Sequence, residues 1–289
     1  MNSGDFMSGF PKYSLRGLEG RKMMGIDECL VIVEGESDVR VYRRFIDDRS
    51  RILPVEDIAG TRSNNRGAIV SMSEDYPQHS FIVDEDMISL SEGEFNAPLP
   101  QNLATTWELN DIESWAFRAM ERGEDLPSIG LNDEDVRLAL HISRAFGILR
   151  IITKRMWDEG GESRWRIDFN RSKELLIKHS TRLDINSNIV EMVVKTQSRD
   201  TVSSKRWQKK FRSLESEFSS FENLPIIAGH DLSFFLYYIS SKRKKQNPTM
   251  MGYRDFERLL INKSLNQKNR EFWGELMQGK IGIILGFRK

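Results

Sequence analysis

The sequence has a single cysteine, no long apolar run and no excess of charge of either sign. Cys29 has no partner for an intramolecular disulfide, which is typical of proteins from a reducing compartment. No apolar segment has the length of a membrane span, and none at the beginning resembles a secretory signal. We therefore expect a soluble, cytoplasmic protein without a membrane partner.

The net charge of the chain excludes no class of partner, and its motifs exclude one activity. Lysine plus arginine count 43 and aspartate plus glutamate also count 43, so the formal net charge is zero. Overall charge therefore neither favours nor excludes a nucleic-acid partner, and only its placement along the chain is informative. The sequence lacks the phosphate-binding loop G-x-x-x-x-G-K-S/T. We expect the chain not to hydrolyse ATP by itself.

Short aliphatic runs alternate with segments of helical periodicity along the first part of the chain. The run "CLVIVE" (29–34) predicts a buried strand, and a helix is predicted directly after Gly35. Further strands are predicted at 52–58, 80–84 and 103–109. Strands that alternate with helices are typical of a parallel sheet with crossover connections. The predicted fold class is therefore α/β.

Acidic residues follow three of these predicted strands. Glu34 ends the first strand, Asp84 and Asp86 follow the third, and Asp111 and Glu113 follow the fourth. Ligands of open parallel sheets bind at the carboxyl ends of the strands. Residues two apart in an extended segment face the same side, so the two aspartates after the third strand can hold one hard cation such as Mg²⁺.

Each acidic position also has a structural interpretation. Glutamate before glycine is common in exposed turns, and Asp-x-Asp is common on protein surfaces. Asn110 and Glu113 fit a capping box, in which side chains satisfy free backbone N–H groups at a helix start. The joint placement of acids at successive strand ends favours a site, because such carboxylates repel one another unless a cation or proton intervenes.

The order of these motifs resembles the TOPRIM domain, the acidic α/β module of topoisomerases, primases and overcoming-lysogenization-defect (OLD) nucleases. The matching segments are "VIVEGESDVRVY", "FIVDEDM" and "WELNDIESW". Together with the late "IIAGHDLSFFL", they are similar to the OLD-like TOPRIM effectors of bacterial anti-phage systems, including the PARIS type. The resemblance implies a Rossmann-like, mostly parallel sheet flanked by helices.

The resemblance also implies roles for individual residues. Glu34 would be the acid or base and a metal ligand, and Asp84 and Asp86 would bind one or two Mg²⁺ or Mn²⁺ ions. Glu113 would be a further ligand. Additional candidates are Asp38, Asp111 and His230. The middle residue of "DED" departs from the family pattern, and no catalytic lysine stands out near the third strand.

The sequence predicts a discontinuous core. An N-terminal arm is predicted at 1–25, the first part of the TOPRIM core at 26–128, and an α-helical insertion at 129–222 that includes a long helix over 133–157. The segment 223–289 is predicted to complete the TOPRIM core, returning to the sheet with a strand, a glycine turn and a helix, and to end in C-terminal helices.

A basic segment lies within the predicted insertion. From Lys195 to Glu215 there are seven basic and two acidic residues. Such a segment can neutralise phosphates, and Trp207 and Phe211 at i, i+4 can stack on bases or turn into the core. The candidate nucleic-acid contacts are Lys205, Arg206, Trp207, Lys209, Lys210 and Arg212.

Two functions remain open from the sequence. The favoured one is a Mg²⁺-dependent endonuclease that acts as a toxic effector in anti-phage defence, restrained or delivered by an ABC-type ATPase encoded nearby. The resemblance favours RNA, particularly tRNA, as the target, with DNA as an alternative, and it also implies a homodimer. The other function is a catalytically silent binding or regulatory subunit. Primase or topoisomerase action has little support, because a zinc motif and a nucleophilic tyrosine domain are not evident.

Overall fold

The computed structural model describes residues 29–45, 52–59, 65–85, 100–106, 111–160, 167–173, 185–195, 204–220, 224–243, 251–276 and 279–285. These residues form strands β1 (Val31–Val33), β2 (Ile52–Pro54), β3 (Ser80–Val83) and β4 (Leu103–Thr105). Their α-helices are α1 (Glu36–Tyr42), α2 (Val55–Ala59), α3 (Asn65–Asp75), α4 (Ile112–Arg122), α5 (Asp133–Gly160), α6 (Ile185–Lys195), α7 (Ser204–Glu217), α8 (Gly229–Arg243), α9 (Tyr253–Ser264), α10 (Arg270–Leu276) and α11 (Lys280–Leu285).

The chain divides into two compact units. The first unit comprises Met1–Asp84, Leu99–Thr105 and Glu275–Lys289, and the second comprises Glu85–Pro98 and Thr106–Gly274. The predicted boundaries at 128 and 222 both fall inside the second unit. The physical reason is packing, because helices that the sequence assigned to the core, α4, α8 and α9, pack on one another, and α8 also packs on α5 of the predicted insertion. The predicted N-terminal arm lies outside the described residues.

The first unit contains a four-stranded parallel sheet. The strand order is β2-β1-β3-β4, and every pair is parallel. In the register, Val33 lies opposite Pro54 and Ile82, and Val83 lies opposite Thr105. The carboxyl ends of the strands therefore meet at one edge. The α/β class with a parallel, helix-flanked sheet is confirmed for the described residues, and TOPRIM identity stays a prediction.

Burial explains why β1 has no polar residue. Val31, Ile32 and Val33 are all buried, although successive side chains point to opposite faces of the sheet. Both faces are covered in this way, which requires a continuous apolar run. Helix α1 packs against β2, α3 against β3, and α11 against β3 and β4. A core cluster on this sheet contains Leu30, Ile32, Leu53, Val55, Ile58, Ile69, Met72, Phe81, Val83 and Leu103.

Two predicted strands differ in the structure. The strand predicted at 52–58 ends at Pro54, and α2 begins at Val55. Proline lacks a backbone N–H and is tolerated at the end of an edge strand. The strand predicted near 224 is wrong, because Leu224–Ile226 forms a 3-10 helix. Pro225 in this segment again has no N–H for a strand ladder.

The second unit is helical in the residues that the structure describes. The long helix predicted over 133–157 is confirmed as α5. Helix α8 packs against α4, α5 and α9, and α7 packs against α5 and α6. The rings of Phe146 in α5 and Phe235 in α8 meet edge to face with centroids 5.2 Å apart. Among the described helices, none combines the length and apolar character needed to cross a membrane.

Candidate functional site

The carboxyl edge of the parallel sheet places Glu34 beside Asp84. These residues follow β1 and β3, which are neighbours in the sheet. The Glu34 Oε1 atom accepts a hydrogen bond of 2.8 Å from the backbone N–H of Asp84. Both residues are half-buried. The structure therefore brings together two of the predicted metal ligands, while Asp86 lies outside the described residues.

The turn that carries Glu34 is held by hydrogen bonds on its other side. Asp38, on the first turn of α1, accepts a bond of 2.9 Å at Oδ2 from the Gly35 N–H. The Asn65 side chain donates to the Glu34 carbonyl oxygen at 2.9 Å. Asp38 is only 7% exposed, so its carboxylate acts at the helix start rather than in solvent. These hydrogen bonds fix the backbone of Glu34 and Gly35 and thereby position the Glu34 side chain.

In the second unit, Asp111 is a structural carboxylate. It is the N-cap of α4, and its Oδ1 accepts from the Ser114 N–H at 2.9 Å. Its Oδ2 accepts from the Gly229 N–H at 2.7 Å, which ties α4 to α8. Burial raises the pKa of Asp111, and the positive charge of His230 and these hydrogen bonds offset only part of that effect. The capping role predicted for Asn110 therefore belongs to Asp111.

Glycine is required at the contact between these helices. A Cβ atom at Gly229 would collide with the Asp111 carboxylate, and it would also approach the Ser114 nitrogen to 2.5 Å. The "AGHD" glycine thus permits the close approach of two helix starts. The same approach carries the next residue, His230, toward Glu113 of α4.

Glu113, His230 and Glu257 form a cluster within the second unit. The His230 Nδ1 atom lies 2.8 Å from Glu257 Oε1, and Nε2 lies 3.8 Å from Glu113 Oε2. Glu113 is almost fully buried, with its side chain 2% exposed, whereas the His230 side chain is 58% exposed. One potential metal-ligating atom from each residue lies within 4.8 Å of the others. The cluster is therefore accessible to a small cation from the His230 side.

Electrostatics favour a positive charge at His230. The nearby Glu113 carboxylate raises the pKa of His230 well above 6.5, against the opposing effect of partial burial, and the bond to Glu257 raises it further. For Glu257, burial would raise the pKa, but the hydrogen bond and charge of His230 outweigh it and the pKa is lowered. The carboxylates on either side of the ring thus favour the protonated form of His230.

Glu257 is held by two hydroxyl groups. Its Oε1 lies 2.8 Å from the Tyr253 hydroxyl and 3.1 Å from Ser233 Oγ. Burial and the Glu257 charge raise the pKa of Tyr253, so its hydroxyl keeps the proton that it can donate. Sequence reasoning missed Glu257. The only signal is the i, i+4 spacing of Tyr253 and Glu257 on α9, which places them on one helix face but does not link them to His230.

The part of the basic segment from Ser204 to Glu215 lies on α7, and the aromatic residues of this part face inward. Trp207, Phe211 and Leu214 are buried. Trp207 is 0% exposed, so it is not available to stack on a base, and the nucleic-acid role predicted for it is corrected here. The alternative interpretation, in which both aromatics pack in the core, is confirmed. The basic candidates on the same helix are all exposed: Lys205, Arg206, Lys209, Lys210 and Arg212.

Comparisons with protein-family models, curated proteins and solved structures gave no match to this chain. Two groups of residues in the described part of the chain can bind ligands, the Glu34–Asp84 edge of the first unit and the Glu113–His230–Glu257 cluster of the second.

Proposed function

We propose that this chain is a Mg²⁺-dependent endonuclease of the TOPRIM type that acts in bacterial anti-phage defence. The observation that carries the proposal is the 2.8 Å bond between Glu34 Oε1 and the Asp84 N–H at adjacent strand ends. It brings together two acidic residues that are 50 positions apart in the sequence, at the sheet edge where ligands of parallel sheets bind.

The donor chemistry of this edge suits Mg²⁺. Two half-buried carboxylates supply hard oxygen ligands, and Mg²⁺ needs only a few of these because water completes its coordination. Glu34 and Asp84 would hold the ion. Bound Mg²⁺ would stabilise negative charge on the phosphate oxygens. Glu34 would transfer a proton, taking it from the attacking water or giving it to the leaving oxygen.

Helix α7 supplies a surface for the nucleic-acid backbone. Its five basic side chains are exposed while Trp207 and Phe211 are buried, so the helix can keep its packing while its charges meet phosphates. Binding of this kind is independent of base sequence and weakens as salt rises. The motif resemblance is the basis for three further proposals. The target is RNA, particularly tRNA, the partner is an ABC-type ATPase, and the chain forms a homodimer.

The test is cleavage of labelled tRNA and plasmid DNA by the purified chain, with and without its ATPase neighbour, in Mg²⁺ or chelator. Glu34→Gln and Asp84→Asn should each lower the cleavage rate about 10²-fold or more. The matched controls are Glu36→Gln and Asp75→Asn, which make the same changes at exposed positions of α1 and α3. Cleavage that survives both site substitutions would exclude the site, and cleavage of plasmid alone would redirect the proposal to DNA.

A second candidate function is a catalytically silent binding subunit. It is favoured by the structural use of the same acids, because Glu34 accepts the Asp84 N–H and Asp38 accepts the Gly35 N–H. Carboxylates that hold a turn together would persist in a scaffold without chemistry. Binding to the partner ATPase without cleavage by any form, in Mg²⁺ or Mn²⁺, would support this candidate over the nuclease.

A further inference from the structure

Three separate segments converge on the cluster in the second unit. Glu113 comes from the first turn of α4, His230 from the first turn of α8, and Glu257 from the middle of α9. The three residues each present a potential ligand atom within 4.8 Å of the others. Imidazole and carboxylate are among the side chains that bind transition-metal dications in proteins.

The imidazole ring is oriented as in a metal site. Its Nδ1 lies 2.8 Å from Glu257 Oε1, and metal-binding histidines usually donate their other ring N–H to a carboxylate in this way. This bond turns Nε2 toward Glu113 Oε2, 3.8 Å away, which is beyond hydrogen-bond distance. Two ligands about 2.1 Å from one ion at a tetrahedral angle lie about 3.4 Å apart. A small movement of the exposed imidazole therefore suffices to place both atoms around one ion.

The charges of the cluster also fit a cation. Glu113 is buried with its side chain 2% exposed, and Glu257 is 14% exposed, so their negative charges need a positive charge between them. A dication bound at Nε2 would supply it, with Glu257 still accepting the Nδ1–H bond.

We infer that the second unit binds one transition-metal dication of the Zn²⁺ class through His230 Nε2 and the Glu113 carboxylate, with Glu257 as the positioning residue. This goes beyond the proposed nuclease function, because it adds a second kind of ion held by an imidazole nitrogen. Mg²⁺ prefers all-oxygen sites, whereas imidazole favours Zn²⁺ and its neighbours. Glu113, which the sequence assigned to the Mg²⁺ site, is thereby reassigned to this one.

The experiment uses Co²⁺ as the probe, because its visible absorption reports the ligands of the ion. The full chain is titrated with Co²⁺ in excess Mg²⁺, which occupies oxygen-only sites. One equivalent of Co²⁺ should bind with a ligand-field spectrum that His230→Asn abolishes. Glu257→Gln should keep the spectrum but weaken Co²⁺ binding about 10- to 100-fold. Equimolar Zn²⁺ should displace the Co²⁺.

The matched controls separate ligation from folding. His141→Asn makes the same change at an exposed position of α5, and Asp255→Asn neutralises an exposed carboxylate of α9. Both should leave the Co²⁺ spectrum unchanged. An unchanged spectrum in His230→Asn, or no stoichiometric Co²⁺ binding by the wild-type chain, would overturn the inference. Neither result bears on the nuclease, which is tested separately through Glu34 and Asp84.

Discussion

Asp231 and Arg150 form a bidentate ion pair in the second unit, with Nε–Oδ2 and Nη2–Oδ1 distances of 2.8 and 3.0 Å. Asp231 is fully buried, and Lys173 makes a further ion pair with its Oδ1. The Arg150 guanidinium also lies 4.2 Å from the centroid of the Phe169 ring. The pair therefore joins α8, α5 and the segment 167–173, directly beside His230.

Removing the Asp231 charge should destabilise the protein. Asp231→Asn keeps the shape but leaves Arg150 and Lys173 without their carboxylate, and removing one partner of a buried pair costs about 3 to 5 kcal/mol. The free energy of unfolding from urea denaturation measures the loss. Asp255→Asn is the control, since Asp255 is 61% exposed and its ion pair with Arg258 is 3.6 Å long. A loss below about 1 kcal/mol for Asp231→Asn would contradict the prediction.

The contribution of Asp231 should depend on pH. Burial alone would raise its pKa, but the charges of Arg150 and Lys173 lower it below the usual 3.8. A group whose pKa is lowered on folding stabilises the protein fully above its unfolded value and loses this contribution as pH falls through the folded value. The stability difference between wild type and Asp231→Asn should thus be constant from pH 7 to 5 and shrink below 3.8. A difference that grows on acidification would refute the assignment.

Gly229→Ala should weaken the junction of α4 and α8. The added methyl group collides with Asp111 Oδ1, the oxygen that accepts the Ser114 N–H, so relief requires the carboxylate to shift away from its hydrogen bonds. Overpacking of this kind costs about 1 to 3 kcal/mol. At Gly274, on α10, a Cβ meets no atom within 4 Å, so Gly274→Ala is the matched control. Thermal unfolding of the two variants should show a lower Tm for Gly229→Ala alone.

Removing basic residues from the exposed face of α7 should change RNA binding but not protein stability. Lys209 and Lys210 are exposed, so their joint change to Ala should leave stability nearly unchanged. If both meet phosphates, the double variant should lower the slope of log affinity against log salt by about 1.4 for single-stranded RNA. Fluorescence anisotropy over a salt series measures the slope. An unchanged slope would remove α7 from the nucleic-acid surface.

Truncation of Trp207 should lower the stability of the protein, whereas replacement of the lysines should change only RNA binding. Its indole is fully buried, and Trp→Ala in a core costs about 3 to 5 kcal/mol. Trp207→Phe keeps most of the apolar contact and should retain the affinity for RNA of the wild-type chain. A selective loss of RNA affinity in Trp207→Phe, without loss of stability, would return this residue to the binding surface.

Local sequence patterns predicted the elements around the first site. The continuous apolar run ending at Glu34 is β1, and the helical spacing after Gly35 is α1. Because parallel neighbours align their carboxyl ends, Asp84 could be expected beside Glu34, and the structure places it there. The adjacency of Glu34 and Asp84 could be predicted because one rule was enough: residues that follow neighbouring parallel strands lie close together.

Sequence position alone did not predict the second cluster. Leu224–Ile226 resembled a strand, yet it forms a 3-10 helix, and α8 packs on α4 and α9 instead of following a strand. Asp111 caps α4 through one carboxylate oxygen and accepts the Gly229 N–H at the other. Such contacts depend on how helices pack, and no local pattern encodes their partners.

The sequence by itself determined the short buried strands, their parallel class and the acids that follow β1 and β3, since periodicity and hydrophobicity act between residues close along the chain. Tertiary structure decided that Trp207 is buried, that Asp231 pairs with Arg150 and that His230 lies between Glu113 and Glu257. These pairings join helices far apart in sequence, and their energies come from burial and charge that exist only after the helices have packed.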